Sequence, residues 1–244
     1  MKRVIIIQAR MTSTRLPGKV LLDLAGRPML SQQLRRLKKC QRADEIVVAT
    51  TTNTTDDPVV ALAGSEGVRW FRGNEQDVLS RYLGAAHESQ ADIVVRVTAD
   101  CPLIDPEQTD QVIHELESHA AGCDYAANTI ERTFPRGLDT EALFGDTLER
   151  LGRLGYSQPA REHVTFFLLE ERPDLFLIRS VTDTEDNSDL RWTVDTMDDM
   201  VMVRRIYQEL SLSERWLPYA SVLEYARAHP DVAAMNVNIQ QKIV

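Results

Sequence analysis

Short apolar runs rich in β-branched residues alternate with amphipathic stretches through the first half of the chain. The apolar runs predict strands at Val4–Ile7, Glu45–Thr50, Val68–Phe71 and Asp92–Val97. The amphipathic stretches predict helices at Pro28–Cys40, Asp57–Glu66, Asp77–Gln90 and Pro106–Ala120. The runs are apolar along nearly their whole length, which is expected when helices cover both faces of a sheet. The alternation therefore predicts an α/β fold in which helices flank a mostly parallel sheet.

From about residue 124 onward the pattern becomes less regular. Strands are predicted at Asp124–Asn128, Gly137–Phe144, Leu175–Val181 and Leu190–Val194. Helices are predicted at Gly145–Leu154, Pro159–Glu171, Asp198–Leu210 and Pro218–Ala228. The chain contains no internal repeat, low-complexity tract or Gly/Ser linker. We therefore expect residues 1–244 to form a single domain, with an inserted substrate-binding region at about 124–190.

The overall charge excludes several classes of partner. A formal net charge of −9 disfavours binding to nucleic-acid backbones and to anionic lipid surfaces. No apolar run approaches the ~18 residues of a bilayer crossing, and the N-terminal run ends at Gln8, too early for a signal peptide. The three cysteines, Cys40, Cys101 and Cys123, form no CxxC pair, so free thiols are expected. We therefore expect a cytoplasmic protein with no nucleic-acid or membrane partner, which can still bind a small anion in a local cationic pocket.

The segment Gln8–Lys19, which follows the first predicted strand, concentrates positive charge. Its twelve residues include three cations and three hydroxyls, and none is acidic. Ligands of doubly wound sheets bind outside the carboxyl ends of the strands, where this segment must emerge. Arg10 and Arg15 can hold phosphate oxygens bidentately and Lys19 can act as a point charge, whereas ordinary solvated surface charges are the alternative. The single glycine fits neither a Walker A motif nor a dinucleotide-binding motif.

Two aspartates stand where a predicted strand ends. Asp100 follows the apolar run that ends at Ala99, and Asp195 follows the run that ends at Val194. On neighbouring strands the two carboxylates would share one rim of the sheet with the cationic segment, and two aspartates with substrate phosphates suffice to hold Mg²⁺. Helix capping or turn formation explains an Asp at such positions equally well. Asp105 and Asp198 fit a capping role better, because a predicted helix follows each of them.

These segments together resemble the sugar cytidylyltransferases, in particular the CMP-KDO and CMP-acylneuraminate synthetases, and most of all the spore-coat polysaccharide biosynthesis branch. The first matching block combines Ala9-Arg10 with Ser13–Lys19. The further blocks follow in the family's order: Phe71–Leu79, Val97–Asp105, Asn128–Asp139, Arg161–Thr165 and Leu190–Asp199. The blocks cover most of the chain, and as a set they are specific.

The resemblance implies a Rossmann-like nucleotidyltransferase fold with an inserted acceptor-binding region. The nucleotide-binding half would span about 1–123, and the acceptor-binding and closing region about 124–244. It further implies a Mg²⁺-dependent cytidylyltransferase that uses CTP to activate an acidic sugar or a related small molecule, with release of pyrophosphate, for the biosynthesis of a surface polysaccharide or glycan. A homodimer is also implied.

The resemblance assigns roles to individual residues. Arg10, Arg15 and Lys19 would hold the triphosphate, and Asp100 and Asp195 would hold Mg²⁺; these five form the predicted catalytic set. Further contacts to the nucleotide would come from Gln8, Ala9, Met11, Gly73, Asn74, Asp77, Thr98 and Ala99. The acceptor pocket would be lined by Asn128, Arg136, Gly137, Asp139, Glu141 and His163.

Some questions stay open at this point. Gln8 stands where CMP-KDO synthetases have proline, and Cys101 stands where they have an acidic residue, so the identity of the acceptor is not determined. His163 can contact substrate, transfer a proton, or be a surface histidine with a structural hydrogen bond. A glycosyltransferase that acts on a nucleotide-sugar and a non-catalytic nucleotide-binding homologue are the alternative functions.

Overall fold

The computed structural model describes residues 1–239. Its strands are β1 Arg3–Gln8, β2 Asp23–Leu24, β3 Arg27–Pro28, β4 Glu45–Thr51, β5 Arg69–Gly73, β6 Ile93–Thr98, β7 Tyr125–Ala127, β8 Glu141–Phe144 and β9 Ile178–Ser180. β2 and β3 pair with each other, and the other strands form a seven-stranded sheet in the order β5-β4-β1-β6-β8-β7-β9. All neighbours are parallel except β8, which is antiparallel to both β6 and β7. The predicted mostly parallel α/β sheet is confirmed.

Helices cover both faces of the sheet. They are α1 Met29–Leu37, α2 Asp57–Ser65, α3 Val78–Ser89, α4 Pro106–Ser118, α5 Gly145–Leu154, α6 Gln158–Glu162, α7 Met197–Glu209, α8 Tyr219–Ala228 and α9 Pro230–Ala233. Ile5 and Ile7 of β1 pack in a core with α1, α2 and α4, whereas Val4 and Ile6 pack in a core with α3 and α5. This two-sided burial explains why β1 is apolar at every central position. None of the helices within residues 1–239 combines the length and hydrophobicity that a bilayer crossing requires.

A third core joins the C-terminal helices α7 and α8 to the loops at one end of the sheet. Trp192 packs edge-on against Tyr219 with 5.9 Å between ring centroids. The Tyr207 hydroxyl donates to the Pro102 carbonyl at 2.6 Å. Because Pro102 lies just after β6, this core brings the segment before α7 to the carboxyl end of β6.

Capping residues define where the helices of this region begin. Asp105 accepts hydrogen bonds from two backbone amides at the start of α4, as predicted. At α7 the prediction is wrong by one residue, since the helix begins at Met197 and Thr196 is its N-cap. Asp199, rather than Asp198, completes a capping box with Thr196.

Four other predicted elements differ from the structure. Pro159–Glu171 is not one helix, because Val164 adopts a φ of 49° and separates α6 from a π-helical turn at Phe167–Glu171. Leu190–Val194 is not a strand; it makes a single bridge, between Arg191 and Arg136. The predicted strands Gly137–Phe144 and Leu175–Val181 shorten to β8 and β9.

Gly137 allows the loop before β8 to pack against the backbone of the segment before α7. Its φ is +108°, and a Cβ there would lie 2.6 Å from backbone atoms of Trp192 and Thr193. We expect Gly137→Ala to lower the free energy of unfolding by about 2 kcal/mol or more, because it combines backbone strain with overpacking. Urea denaturation measures this loss. Gly122→Ala is the control, since a Cβ at Gly122 meets nothing within 4 Å; an equal loss in both variants would contradict the steric explanation.

Candidate active site

The cationic segment after β1 is held in one shape by a buried carboxylate beneath it. The Met11 amide donates to Oδ1 of Asp56 at 2.7 Å, and the Gly18 amide donates to the Met11 carbonyl at 2.9 Å. Asp56 is buried, and its other oxygen accepts from the amide and the hydroxyl of Thr51. Gly18, with a φ of 70°, then turns the chain into a 3-10 turn that begins at Lys19. The backbone of the loop is therefore preorganised.

Asp100 and Asp195 meet in space, as predicted, although only Asp100 follows a strand. Asp100 follows β6, and its carbonyl accepts from the Val194 amide at 2.8 Å and from the Thr193 hydroxyl at 3.2 Å. These backbone contacts tie the segment before α7 to the loop after β6. Both carboxylates consequently stand at the carboxyl end of the parallel strands, at the rim where the cationic segment emerges.

The ammonium of Lys19 lies between the two carboxylates. Its Nζ is 3.2 Å from Oδ2 of Asp100, 3.0 Å from Oδ1 of Asp195 and 2.7 Å from the Val194 carbonyl. Only 10% of the Lys19 side chain is exposed. Each of the three N–H donors of the ammonium therefore has an acceptor in a place shielded from water.

The remaining oxygens of the two aspartates are also hydrogen-bonded. Oδ2 of Asp195 lies 2.8 Å from a guanidinium nitrogen of Arg15 and 2.9 Å from one of Arg191. Oδ1 of Asp100 accepts from the Thr98 hydroxyl at 2.5 Å. Lys19, Arg15 and Arg191 thus surround the two carboxylates, and Arg191 is also ion-paired with Asp199, so the charges of the cluster balance.

Mutual attraction keeps the central pair ionised. Burial raises the pKa of the Asp100 carboxyl, but the Lys19 ammonium and the Thr98 hydrogen bond outweigh burial and hold that pKa below its ordinary value. Burial lowers the pKa of the Lys19 ammonium, and the two carboxylates outweigh burial and raise it. Both groups are therefore charged at neutral pH.

Two cavities meet at this charged cluster. The loop chamber, of about 300 Å³, is lined by the cationic segment, including Arg10, Ser13 and Thr14. The inner chamber, of about 360 Å³, lies towards β8. Its own wall residues are Arg96, Val97, Cys101, Arg136, Gly137, Asp139, Glu141 and Thr193. The residues that line both chambers are Gln8, Arg15, Thr98, Asp100, His163 and Asp195.

Most charged side chains of the inner chamber are paired with each other. Arg96 pairs with Glu141, and Glu141 also accepts from the hydroxyls of Tyr125 at 2.9 Å and Thr165 at 2.8 Å. Asp139 is held bidentately by an arginine behind it, Arg132, at 2.7 and 2.9 Å. These pairs leave little charge for a ligand to neutralise.

Arg136 is the exception in the inner chamber. Within residues 1–239 its guanidinium makes no hydrogen bond or ion pair, and only its backbone is bonded. Burial lowers the pKa of Arg136, and the neighbouring Arg132 and Arg191 lower it further against the attraction of Asp139. A half-buried cation without a paired anion is suited to an anionic ligand.

His163 stands where the two chambers join. It caps the end of α6 and precedes Val164, which is fully buried and has a φ of 49°. A β-branched residue at positive φ is strained, and such strain persists where the surrounding structure imposes it, often beside functional groups. Burial lowers the pKa of His163 and Arg96 lowers it further, against the attraction of Glu162, so the neutral imidazole is favoured.

Three of the predicted nucleotide contacts, Gly73, Asn74 and Asp77, lie beside the loop chamber rather than on its wall. By the resemblance they would enclose the cytosine ring together with the backbone around Gln8 and Ala9. Asn74 bonds to two amides of its own turn, and Asp77 caps α3. The turn Gly73–Asp77 reaches the cationic segment through Glu75, which lies 3.4 Å from Arg10. Whether the ring binds there stays a prediction.

The other predicted contacts divide between the chambers and the protein interior. Ala99 lines the loop chamber, whereas Ala9 is buried and donates its amide to Ala49. Asn128 does not line either chamber: its side chain is 1% exposed and bonds to the Leu138 carbonyl at 2.8 Å and the Thr140 amide at 2.9 Å. Asn128 therefore shapes the turn that carries Gly137 instead of offering its amide to a ligand.

The pair Asp100 and Asp195 fits a divalent cation. The Lys19 ammonium contacts one oxygen of each, so the two carboxylates converge on one cationic centre. Within residues 1–239 no group of three or more His, Cys, Asp and Glu is placed to hold a metal by itself. Two carboxylates with the other ligands drawn from substrate and water are the arrangement that Mg²⁺ commonly adopts.

Three residues of this region are absent from the predicted set. Arg96 interrupts the apolar strand β6, and a cation in a buried strand needs a buried anion, so its position alone could have revealed the pair with Glu141. Arg191 and Glu75 carry no such signal, because their contacts to Asp195 and Arg10 depend on the folded arrangement of loops.

Comparison with known proteins finds similar sequences over most of the chain. Residues 4–210 match a family model described as cytidylyltransferase. The chain is 34% identical over 244 residues to an uncharacterized protein of Methanocaldococcus jannaschii. This alignment covers 99% of this chain and 97% of that protein. It is 31% identical to the spore coat polysaccharide biosynthesis protein SpsF of Bacillus subtilis, over 84% of this chain and 85% of that protein.

Solved structures share the fold. A cytidylyltransferase from Leptospira borgpetersenii serovar Hardjo-bovis is 33% identical and superposes with a TM-score of 0.91 over the whole of both chains. A CMP:2-keto-3-deoxy-manno-octonic acid synthetase complexed with CTP superposes with a TM-score of 0.67 at 22% identity, over 86% of this chain and 100% of that chain. The nucleotidyltransferase fold predicted from the sequence is thereby confirmed.

Removing the Lys19 ammonium tests the electrostatics of the cluster. Lys19→Met leaves the partly buried Asp100 carboxylate without its main partner, and we expect a loss of about 2–4 kcal/mol in the free energy of unfolding at pH 7. In the wild-type protein the depressed pKa of Asp100 contributes stability above the ordinary carboxyl pKa of about 4, which is lost as the pH falls through the folded-state value. In the variant, protonation of Asp100 relieves the unpaired charge. The difference in the free energy of unfolding between the wild type and Lys19→Met should therefore be largest at pH 7 and become smaller towards pH 4.

Denaturant unfolding at a series of pH values measures this difference. Lys39→Met, at an exposed lysine, is the matched control and should stay within about 0.5 kcal/mol of wild type at every pH. If Lys19→Met lowered the free energy of unfolding by the same amount at pH 4 and at pH 7, the conclusion that Lys19 and Asp100 form an ionised pair would be contradicted.

Proposed function

Since this chain belongs to the cytidylyltransferase family, we propose that it transfers the CMP group of CTP to an acidic sugar or a related small acid and releases pyrophosphate. The product would serve the biosynthesis of a surface polysaccharide or another glycan. The observation that carries this proposal is that a cationic chamber and a second, polar chamber meet at Asp100, Lys19 and Asp195. A triphosphate and an acceptor placed in the two chambers would have their reacting atoms at that junction.

The loop chamber suits the triphosphate of CTP. Arg10, Arg15 and Lys19 surround it, and hydroxyls of Ser13 and Thr14 add donors. The backbone of the loop is already fixed by Asp56, so the cations lose little freedom when phosphate binds. The synthetase complexed with CTP shares this fold and supports the choice of nucleotide.

The reaction needs positioning and charge neutralisation more than a protein nucleophile. The oxygen of an acceptor hydroxyl forms a bond to the α-phosphorus of CTP and the hydroxyl proton is released to solvent. The bond from that phosphorus to the oxygen of the β-phosphate breaks, and pyrophosphate leaves with the electron pair. Arg15 and Lys19 would neutralise the negative charge that grows on the leaving pyrophosphate, an effect that is large in a site shielded from water.

Asp100 and Asp195 would hold Mg²⁺, which when bound supplies charge neutralisation at the phosphate oxygens. Phosphate oxygens would take over the hydrogen bonds of Lys19 and Arg15 that the carboxylates now accept. Arg191 would stay on Asp195 and keep that carboxylate in place. The chain thus offers one set of cations for the nucleotide and a separate one for orienting the aspartate.

The inner chamber suits an acceptor that carries an anion. In the part of the chain that the structure describes, the Arg136 guanidinium has no ionic partner, whereas Arg96 and Asp139 each have one. His163, neutral and at the junction, lies where the acceptor hydroxyl must approach the α-phosphorus. These two residues therefore define two requirements of the acceptor: an acidic group near Arg136 and a hydroxyl near the nucleotide.

Pyrophosphate release tests the proposal. The purified protein is incubated with CTP, Mg²⁺ and a panel of acidic sugars, and pyrophosphate is measured against reactions that contain UTP or no acceptor. Release that depends on both CTP and one acceptor is expected. Sugar transfer from a nucleotide-sugar without any such release would favour a glycosyltransferase, and binding of CTP without turnover on any acceptor would favour a non-catalytic homologue.

The two carboxylates should be essential for turnover. We expect Asp100→Asn and Asp195→Asn each to lower kcat by about 10²-fold or more, because each removes a charged ligand from the metal site. Asp198→Asn, at an exposed aspartate three residues from Asp195, is the matched control. Circular dichroism checks that the variants are folded, and wild-type turnover in both site variants would remove the metal assignment.

Arg136 should affect the acceptor more than the nucleotide. Arg136→Ala removes a charge-assisted hydrogen-bond donor, worth about 1.5–3 kcal/mol, so the KM for the acceptor should rise about tenfold or more. The KM for CTP should change by less than about twofold, since Arg136 does not line the loop chamber. Arg153→Ala, at an exposed arginine, controls for the loss of charge. A rise in the KM for CTP alone would contradict this assignment.

A further inference from the structure

A C-terminal asparagine lies directly behind the carboxylate cluster. Asn236 ends the short 3-10 turn Ala234–Asn236 that follows α9, and it is only 3% exposed. Its Nδ2 donates to the Arg191 carbonyl at 3.0 Å and to Oδ1 of Asp199 at 2.9 Å. Both amide hydrogens are therefore used on the two residues that hold Asp195.

Asp199 fixes the backbone and the side chain of Asp195 at the same time. Its Oδ2 accepts from the Asp195 amide at 3.0 Å. Its Oδ1 accepts from Nε of Arg191 at 3.0 Å, and the same guanidinium reaches Oδ2 of Asp195 at 2.9 Å. Asp199 is fully buried, so its orientation depends on these partners, on its capping-box partner Thr196 and on Asn236.

We propose that Asn236 is a positioning residue for Asp195, acting through Asp199 and Arg191. Its two N–H donors fix the Asp199 carboxylate and the Arg191 backbone, which leaves Oδ1 of Asp195 aimed at the cationic centre that it shares with Asp100. This inference rests on the proposed function, since it assigns Asp195 to the metal. It also makes the polypeptide after α8 part of the active site, although the family model ends at residue 210.

Hydrogen bonding can be separated from packing at this position. Asn236→Leu keeps a side chain of similar volume beside the apolar residues Val232 and Ile206 of the same region but removes both donors. Asn236→Asp keeps the shape and places an oxygen against the Asp199 carboxylate. If Asn236 only filled space, both variants would leave the properties of Asp195 unchanged.

The experiment measures the affinity for Mn²⁺ in the presence of CTP and without acceptor, by the electron paramagnetic resonance signal of free Mn²⁺, using the full chain. Residues that orient metal ligands typically contribute 10–100-fold to metal affinity. We therefore expect about a tenfold or larger rise in the Mn²⁺ Kd for both variants. Asn238→Leu, at an exposed asparagine two residues away, is the matched control and should leave the Kd unchanged.

Thermal melting accompanies the titration, and both Asn236 variants should melt cooperatively. An unchanged Mn²⁺ Kd in folded Asn236→Leu and Asn236→Asp would overturn the inference, and so would global unfolding of both, which would make Asn236 a folding residue. Failure of the proposed function is detected in a separate measurement: in the pyrophosphate assay, the wild-type protein would release no pyrophosphate. Absence of CTP-dependent Mn²⁺ binding to an active wild type would overturn the positioning role together with the metal site.

Discussion

The ion cluster of Lys19 with Asp100 and Asp195 is the interaction on which the site depends. It joins three segments that are remote in sequence: the loop after β1, the loop after β6 and the segment before α7. Asp195 is buried and Asp100 partly buried, and a charge removed from water without a partner is unfavourable, so each segment helps to hold the other two in place. The fold therefore brings the cations that would bind phosphate and the carboxylates that would bind metal to one point.

The secondary structure of the nucleotide-binding half agrees closely with the sequence prediction, whereas that of the second half agrees less well. In the first half, β-branched runs are buried on both faces, and a parallel sheet is the arrangement that satisfies such a pattern. In the second half, local pattern competes with tertiary contacts. Leu190–Val194 has the composition of a strand, yet its backbone forms hydrogen bonds with loops at Asp100 and Arg136. As a result, Asp195 lies at the rim of the sheet. Val164 breaks a predicted helix with a positive φ that only its buried surroundings stabilise.

The residues of the site divide in the same way. Lys19, Asp100 and Asp195 became candidates because each stands at the end of an apolar run or in a segment free of acids, and the resemblance to the sugar cytidylyltransferases assigned their roles. Asp195 does not end a strand, and it reaches the rim through backbone contacts to the loop after β6. Arg191 and Asn236 could not be predicted, because a hydrogen bond between distant loops leaves no periodic trace in a single sequence. For Asn128, the resemblance predicted a contact with the acceptor. In the structure its side-chain amide is buried and forms hydrogen bonds within the turn before β8.

A crystal structure with CTP and Mn²⁺ tests the central claim most directly, because anomalous scattering locates the ion independently of the protein model. We expect an anomalous peak about 2.0–2.3 Å from one oxygen each of Asp100 and Asp195, with the Lys19 ammonium moved onto a phosphate oxygen. A peak away from both carboxylates, or a triphosphate bound while Lys19 still bridges them, would contradict this claim.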